Sequence, residues 1–219
     1  MKNLPKLSPT SYAMLGLLAR SPQSAYELNT RMQTSLIRAF WPRAESHVYS
    51  EPKKLLAHEL VSERKEENSG RKRTVYTITD RGREVLLAWL QNEAGAELRM
   101  QAEFMLKLIL ADNGSTQDAK STLALSLAAS QKDLEEAIEG IQRILDNPGY
   151  ATEGMPYNGI VINLMADMLI ARYRWGRFAL EATANLTDGS SEEERHKAGR
   201  EAYAAALAKM RDALGDTGV

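Results

Sequence analysis

Apolar residues recur at helical spacing near the start of the chain, at Tyr12, Leu15, Leu18 and Ala19, which predicts an opening helix over residues 8–19. Ser8 suits its N-cap and Pro9 its first position, where the missing N–H is not needed, and Arg20-Ser21-Pro22 ends it. A second helix opens at the box Ser24-Ala25-Tyr26-Glu27 and turns Leu28, Met32 and Leu36 inward. Phe40-Trp41-Pro42-Arg43-Ala44-Glu45 reads as a turn with an aromatic anchor, and a third helix follows, capped by Ser46 and reaching about His58. The pattern then changes period. Residues 60–66 and the β-branched run 74–79 alternate as two strands around Asn68-Ser69-Gly70. Helical spacing returns over residues 80–90 with Val85, Leu86 and Trp89. Three short helices, a hairpin and a closing helix spell a winged helix-turn-helix with a two-stranded wing.

Beyond residue 92 the pattern is helical throughout. Residues 98–110 are nearly continuously apolar on two faces, which suggests a helix buried between modules or subunits, and Asn113-Gly114-Ser115 breaks it. Ser115-Thr116-Gln117-Asp118 starts a long helix striped by Leu123, Leu127, Leu134, Ile138, Ile141 and Leu145. After a loop from Asn147-Pro148-Gly149 to Met155-Pro156, a second long helix carries Val161, Leu164, Met168, Ala171, Trp175 and Phe178. Asp188-Gly189-Ser190 ends it, and the box Ser191-Glu192-Glu193-Glu194 opens an alanine-rich helix to about Leu214. The expected fold class is mainly α: a winged helix-turn-helix over residues 1–92, then an all-helical coiled-coil dimerisation domain over residues 93–219.

Charge sharpens this division. Residues 1–92 hold 15 Lys+Arg against 9 Asp+Glu, and residues 93–219 hold 13 against 20, so the overall charge of −1 hides a basic half and an acidic half. A basic module suits a polyanionic partner. The absence of cysteine excludes thiolate chemistry, and three dispersed histidines (His47, His58, His196) argue against a metal centre. Nothing pairs a nucleophile with a base or forms a phosphate-binding glycine loop, so neither an enzyme nor a cofactor is expected. With no signal core or membrane-length apolar run, a soluble cytoplasmic protein is expected.

Ser46-His47-Val48-Tyr49 through Leu55, Leu60-Val61, Gly70-Arg71-Lys72-Arg73, Tyr76-Thr77-Ile78-Thr79 and Gly82-Arg83 up to Trp89-Leu90 together resemble the PadR family of transcriptional regulators. The resemblance spans about residues 8–90. It implies a DNA-binding regulator, and the acidic helical half is similar to the C-terminal domain of bacterial virulence activators. Two positions depart from the family pattern. Pro52 stands where an apolar helix residue is usual, so the recognition helix is expected to start near Glu51 or to kink there. Glu59 stands where a glycine tends to end that helix.

A winged helix reads duplex DNA by laying its third helix in the major groove. The candidate readers are Ser46, His47, Tyr49, Ser50 and Lys53, with Lys54 on phosphate or guanine. Arg64, Lys65, Arg71, Lys72 and Arg73 give the wing cations for phosphate or the minor groove. Tyr12 and Tyr26 are candidates for phosphate contacts, with core packing an equal alternative. A homodimer on a pseudo-palindromic operator, acting as a repressor, is the expected form, with Leu106, Leu110, Leu123, Leu127, Leu164, Met168, Trp175 and Phe178 in its interface. Met165, Met168, Tyr173, Trp175 and Phe178 are candidates for an aromatic effector pocket, although such a stripe is more often core. The alternatives are a MarR-like winged regulator, disfavoured because the winged helix begins by residue 8, and a winged module that binds protein.

Overall fold

The computed structural model describes residues 5–41, 45–68, 71–92, 98, 100–147, 149 and 156–215. The chain divides into two compact units, Met1–Glu97 and Leu98–Val219. In the first, α1 (Pro9–Arg20) is capped by Ser8, whose hydroxyl accepts the Ser11 N–H at 3.1 Å. A short strand β1 (Gln23–Ser24) leads into α2 (Ala25–Thr34). The expected capping box is formed: the Ser24 hydroxyl accepts from Glu27 N–H at 3.3 Å, and the Glu27 carboxylate accepts from Ser24 N–H at 2.7 Å. Where a plain turn was expected, the chain makes a helical turn, α3 (Ile37–Phe40). The aromatic anchor is Trp41, whose indole N–H donates to Thr10 Oγ1 at 3.1 Å; residues 42–44 lie outside the described ones.

The third helix of the motif, α4 (Glu45–Ala57), differs from expectation at both ends of its first half. It begins before Ser46, which is therefore within the helix and not its cap. It also runs through Pro52 instead of starting near Glu51. A proline inside a helix removes one backbone hydrogen bond and costs ~3 kcal/mol. Here the prolyl ring is fully buried, which offsets part of that cost. At the other end Glu59 adopts φ 59°, as its place after the helix requires. Glu59 N–H donates to Leu56 O at 2.9 Å and Leu60 N–H to Leu55 O at 3.0 Å, so the last carbonyls are satisfied by a Schellman motif.

β1, β2 (Val61–Asn68) and β3 (Arg71–Ile78) form an antiparallel sheet in the order β1–β3–β2. The wing is thus a two-stranded hairpin whose base gains a third strand, through Gln23↔Tyr76 and Ser24↔Val75. Its strands run farther than the apolar alternation, since Glu66↔Arg73 and Glu67↔Lys72 place opposite charges across the outer rungs. Ser69 and Gly70 at the tip lie outside the described residues. Thr79 leaves the strand to cap α5 (Asp80–Leu90), accepting Gly82 N–H at 3.1 Å and donating to Glu59 O at 2.8 Å. Met14, Leu15, Leu18, Leu28, Val48, Leu55 and Leu60 make the fully buried centre.

In the second unit the helix expected over residues 98–110 is shorter, α6 (Glu103–Ile109), and a 3-10 turn (Ala111–Asn113) follows. Ala102 at its N-cap offers no side-chain acceptor, so an apolar run alone does not extend the helix to residue 98. α7 (Thr116–Asp146) opens at the Ser115–Asp118 box. α8 (Tyr157–Thr183) packs against it, and α9 (Glu192–Gly215) opens at a Ser191–Glu194 box. Along α7 and α8 the buried residues are mostly small: Ser126, Ser130, Gly176 and Ala179, together with Leu123. A Cβ on Gly176 would lie 3.2 Å from Leu127 Cδ1 and 3.4 Å from its Cα. Arg172 pairs with Asp133 across the seam at 2.6 Å. Part of the large apolar stripe is left uncovered. Ile138, Leu145, Val161, Leu164 and Ala171 are exposed. Among the described residues no helix is long and apolar enough to cross a membrane.

Candidate nucleic-acid interface

Val48, Pro52 and Leu55 bury one side of α4, and the periodicity sends His47, Tyr49, Ser50, Lys53 and Lys54 outward. All five are exposed, Tyr49 at 40%. The Ser50 hydroxyl donates to His47 O at 3.0 Å, so it is held against its own helix. Lys54 is likewise drawn back, its ammonium 3.2 Å from Glu51 Oε1. Lys53 carries its charge clear of that pair. The side chain of Ser46 lies outside the described residues. Sequence reasoning overlooked Glu51, a carboxylate on the buried side of this helix at 5% exposure. The Ser11 hydroxyl donates to it at 3.0 Å and the Ser8 hydroxyl at 3.3 Å. Its position on the arc of Val48 and Leu55 was readable; its partners, forty and more residues earlier in the chain, were not.

The wing separates its cations into two sets. Arg73 Nη1 meets Glu27 Oε1 at 3.0 Å, and its Nη2 and Nε meet Glu66 Oε2 at 3.0 and 3.3 Å. Arg64 also pairs with Glu66. Hydrogen bonds from Arg64 and then Arg73 hold the Glu66 carboxyl below its ordinary range, and Glu66 in turn strengthens the hold of Arg73 on its proton. Glu27 is lowered chiefly by the Ser24 N–H and hydroxyl, and then by Arg73. Arg73 therefore ties the wing to α2, and a phosphate would have to compete for it with two carboxylates. Lys65 and Lys72 alternate with those residues, on the opposite face of the hairpin, and are exposed. The side chain of Arg71 lies outside the described residues.

Of the two tyrosines, Tyr12 is half-buried and stacks on Trp89, with ring centroids 4.6 Å apart and planes 9° from parallel. This is the packing alternative for its ring. Tyr26, at the start of α2, is 69% exposed.

In the second unit the expected interface residues divide. Leu106, Leu110 and Leu164 are exposed, and Met168 is half-buried. Leu123 is buried and Leu127 lies over Gly176, so packing inside the chain occupies both. Trp175 meets Phe104 at 5.5 Å, and Lys209 lies 4.6 Å over the Phe178 ring. Trp175 and Phe178 also line a cavity of about 750 Å³ with Leu108, Leu123, Ala179 and Arg195. Met165, Met168 and Tyr173 are not among its lining residues. Among the described residues no group of acidic residues and histidines is arranged to hold a metal ion.

Residues 14–88 match the model of the transcriptional regulator PadR-like family. The negative transcriptional regulator PadR of Bacillus subtilis is 27% identical over 135 residues, covering 61% of this chain and 74% of that protein. Its crystal structure in complex with operator DNA superposes with a TM-score of 0.67 at 23% identity, over 79% of this chain and 98% of the other. The Vibrio cholerae virulence activator AphA superposes at 0.61 with 21% identity, over 78% and 96%. These two structures share the fold through most of the length, helical region included. Over residues 14–88 the winged unit is similar to the PadR-like family of transcriptional regulators, and in this chain an extended helical region follows it.

Proposed function

We propose that this protein is a sequence-specific regulator that binds a pseudo-palindromic duplex as a homodimer and represses transcription. The observation that carries this reading is the outward polar face of α4, where His47, Tyr49, Ser50 and Lys53 stand exposed on a helix packed by its opposite side. That face has the size and chemistry of a major-groove reader. Lys65 and Lys72 supply phosphate contacts beside it, and exposed Tyr26 a further donor, whereas Arg73 serves the wing's attachment. The B. subtilis relative is named a negative regulator and has been crystallised on operator DNA, which supports both DNA binding and repression.

Dimerisation falls to the second unit. Leu106, Ile109, Leu110, Ile160 and Leu164 are each 60% or more exposed, and a second copy would cover them. An aromatic effector in the cavity beside Trp175 and Phe178 would give the regulator its signal. Quenching of the Trp175 emission by a panel of aromatic carboxylates tests that part, in a protein with Trp41 and Trp89 replaced by Phe.

The test of the main reading is retention of fragmented source-genome DNA on the purified protein at moderate salt, followed by sequencing. Enrichment of a short inverted repeat upstream of particular genes is the expected result, and Lys53→Glu should abolish it without loss of fold. Retention with no preferred sequence would refute sequence-specific regulation. Raised transcription from an enriched promoter on adding protein would refute repression.

A further inference from the structure

The recognition helix contains an internal weakness and an external tie at adjacent positions. Pro52 has no N–H to give to the Val48 carbonyl, so the segment bearing His47, Tyr49 and Ser50 is joined to the rest of α4 by one hydrogen bond fewer. Next to it, Glu51 is buried at 5% exposure, and a buried carboxylate is unfavourable unless its lone pairs are filled. Ser11 Oγ donates to Oε2 at 3.0 Å, Ser8 Oγ donates to Oε1 at 3.3 Å, and Lys54 Nζ lies 3.2 Å from Oε1. Ser8 is also the N-cap of the twelve-residue α1, so the carboxylate is held at the end of that helix where negative charge is favoured. The buried core itself is apolar, with Val48 and Leu55 as the contribution of α4.

We propose that Glu51 is a positioning residue for DNA recognition, fixing the reading face of α4 on the N-terminus of α1 through Ser8 and Ser11 where Pro52 has loosened the helix. The inference rests on the DNA-binding reading above for its functional consequence, and on the geometry alone for its mechanical one. A purely structural Glu51 would change stability. A positioning Glu51 changes the ratio of selective to non-selective binding, because phosphate contacts from the wing survive a displaced α4 while base contacts do not.

The test uses the full-length protein with two duplexes of equal length, the one enriched by the wild type and a scrambled version of it. Glu51→Ala is expected to weaken binding to the first about tenfold and to the second by less than about twofold, the size of loss expected for an interaction of this kind. Amides of residues 45–51 should exchange faster with deuterium in the free protein. Glu51→Gln should retain most of the selectivity, since its amide oxygen accepts from one serine and its N–H donates to the other. Pro52→Ala added to Glu51→Ala should recover part of it by restoring the helix bond. If Glu51→Ala does not fold, Ser11→Ala reads the same ratio with a smaller loss. Equal losses on both duplexes, or unaltered exchange over residues 45–51, would overturn the proposal. A wild type that prefers neither duplex would defeat the DNA reading instead, and the exchange measurement would still decide what Glu51 holds.

Discussion

Glu59 occupies a left-handed conformation that side chains bearing a Cβ adopt at a cost of roughly 1–2 kcal/mol. Its compensation is an ion pair with Arg81 at 2.8 Å, both partners being half or more exposed, and such pairs contribute little. Glu59→Gly is therefore expected to stabilise the first unit by roughly 0.5–1 kcal/mol, after allowing for the added freedom of the unfolded chain. Urea unfolding measures it, and a lowered midpoint would mean that the ion pair outweighs the backbone strain. Glu27 makes a prediction in pH. Its carboxyl is lowered from 4.5 by the Ser24 N–H and hydroxyl and by Arg73, so the folded state binds its proton less readily than the unfolded chain. The stability it contributes is full above about pH 4.5 and is lost as pH falls through the lower folded value. Glu27→Gln should flatten that part of the acid limb, read by the emission of Trp41 and Trp89; an unchanged limb would assign acid sensitivity elsewhere. The capping role of Glu27 was legible in the four residues from Ser24. Its pairing with Arg73, forty-six residues on, was not.

At the scale of elements, the run from Tyr76 to Arg83 shows why a motif keeps its spacing. Tyr76 is buried, Thr79 caps α5, and Gly82 lies where a Cβ would come within 2.2 Å of Leu60 O. Arg83 donates to Ala19 O at 3.3 Å. Since Leu60 O is a backbone atom already accepting Thr79 N–H at 3.0 Å, it has little room to yield. Gly82→Ala should destabilise the first unit by about 3 kcal/mol or more despite the better helix propensity of alanine, and thermal melting checks this. A neutral outcome would mean that α5 can shift away from the end of α4. The wing makes a different prediction. Lys65→Ala with Lys72→Ala should weaken binding to all duplexes alike and reduce the salt slope by about two, leaving the melting temperature near that of the wild type. Arg73→Ala should instead lower the melting temperature, because it frees Glu27 and Glu66. The reverse pattern would exchange their roles. The hairpin itself was plain from its β-branched strand, but the engagement of Arg73 by both Glu66 and Glu27 depended on the packing of the wing against α2.

For the molecule as a whole, the homodimer proposed above rests on apolar side chains that stand exposed among the described residues, Leu106, Leu110 and Leu164 among them. Leu164→Asp is expected to shift the protein from dimer to monomer in sedimentation and to weaken operator binding by about tenfold or more, while helix content is retained. A dimer that persists would place the interface on another face of the second unit. The sequence by itself determined the long helices, the capped helix starts at Ser8, Ser24, Ser115 and Ser191, the hairpin and the resemblance of the winged unit to the PadR-like family. These rest on interactions within three or four residues, or on a period repeated along one element, and both can be read from neighbouring letters. Tertiary structure decided that α4 runs unbroken through Pro52, that Glu51 is held by Ser8 and Ser11, and that Arg73 is committed to Glu27 and Glu66. It also decided that small residues, Ser126, Ser130, Gly176 and Ala179, join Leu123 and Leu127 between α7 and α8, while Ile138, Leu145 and Leu164 stay exposed. Each of these turns on which distant groups meet, and on whether burial or close approach makes their meeting favourable. Hydrophobic periodicity identifies a face without naming what will cover it.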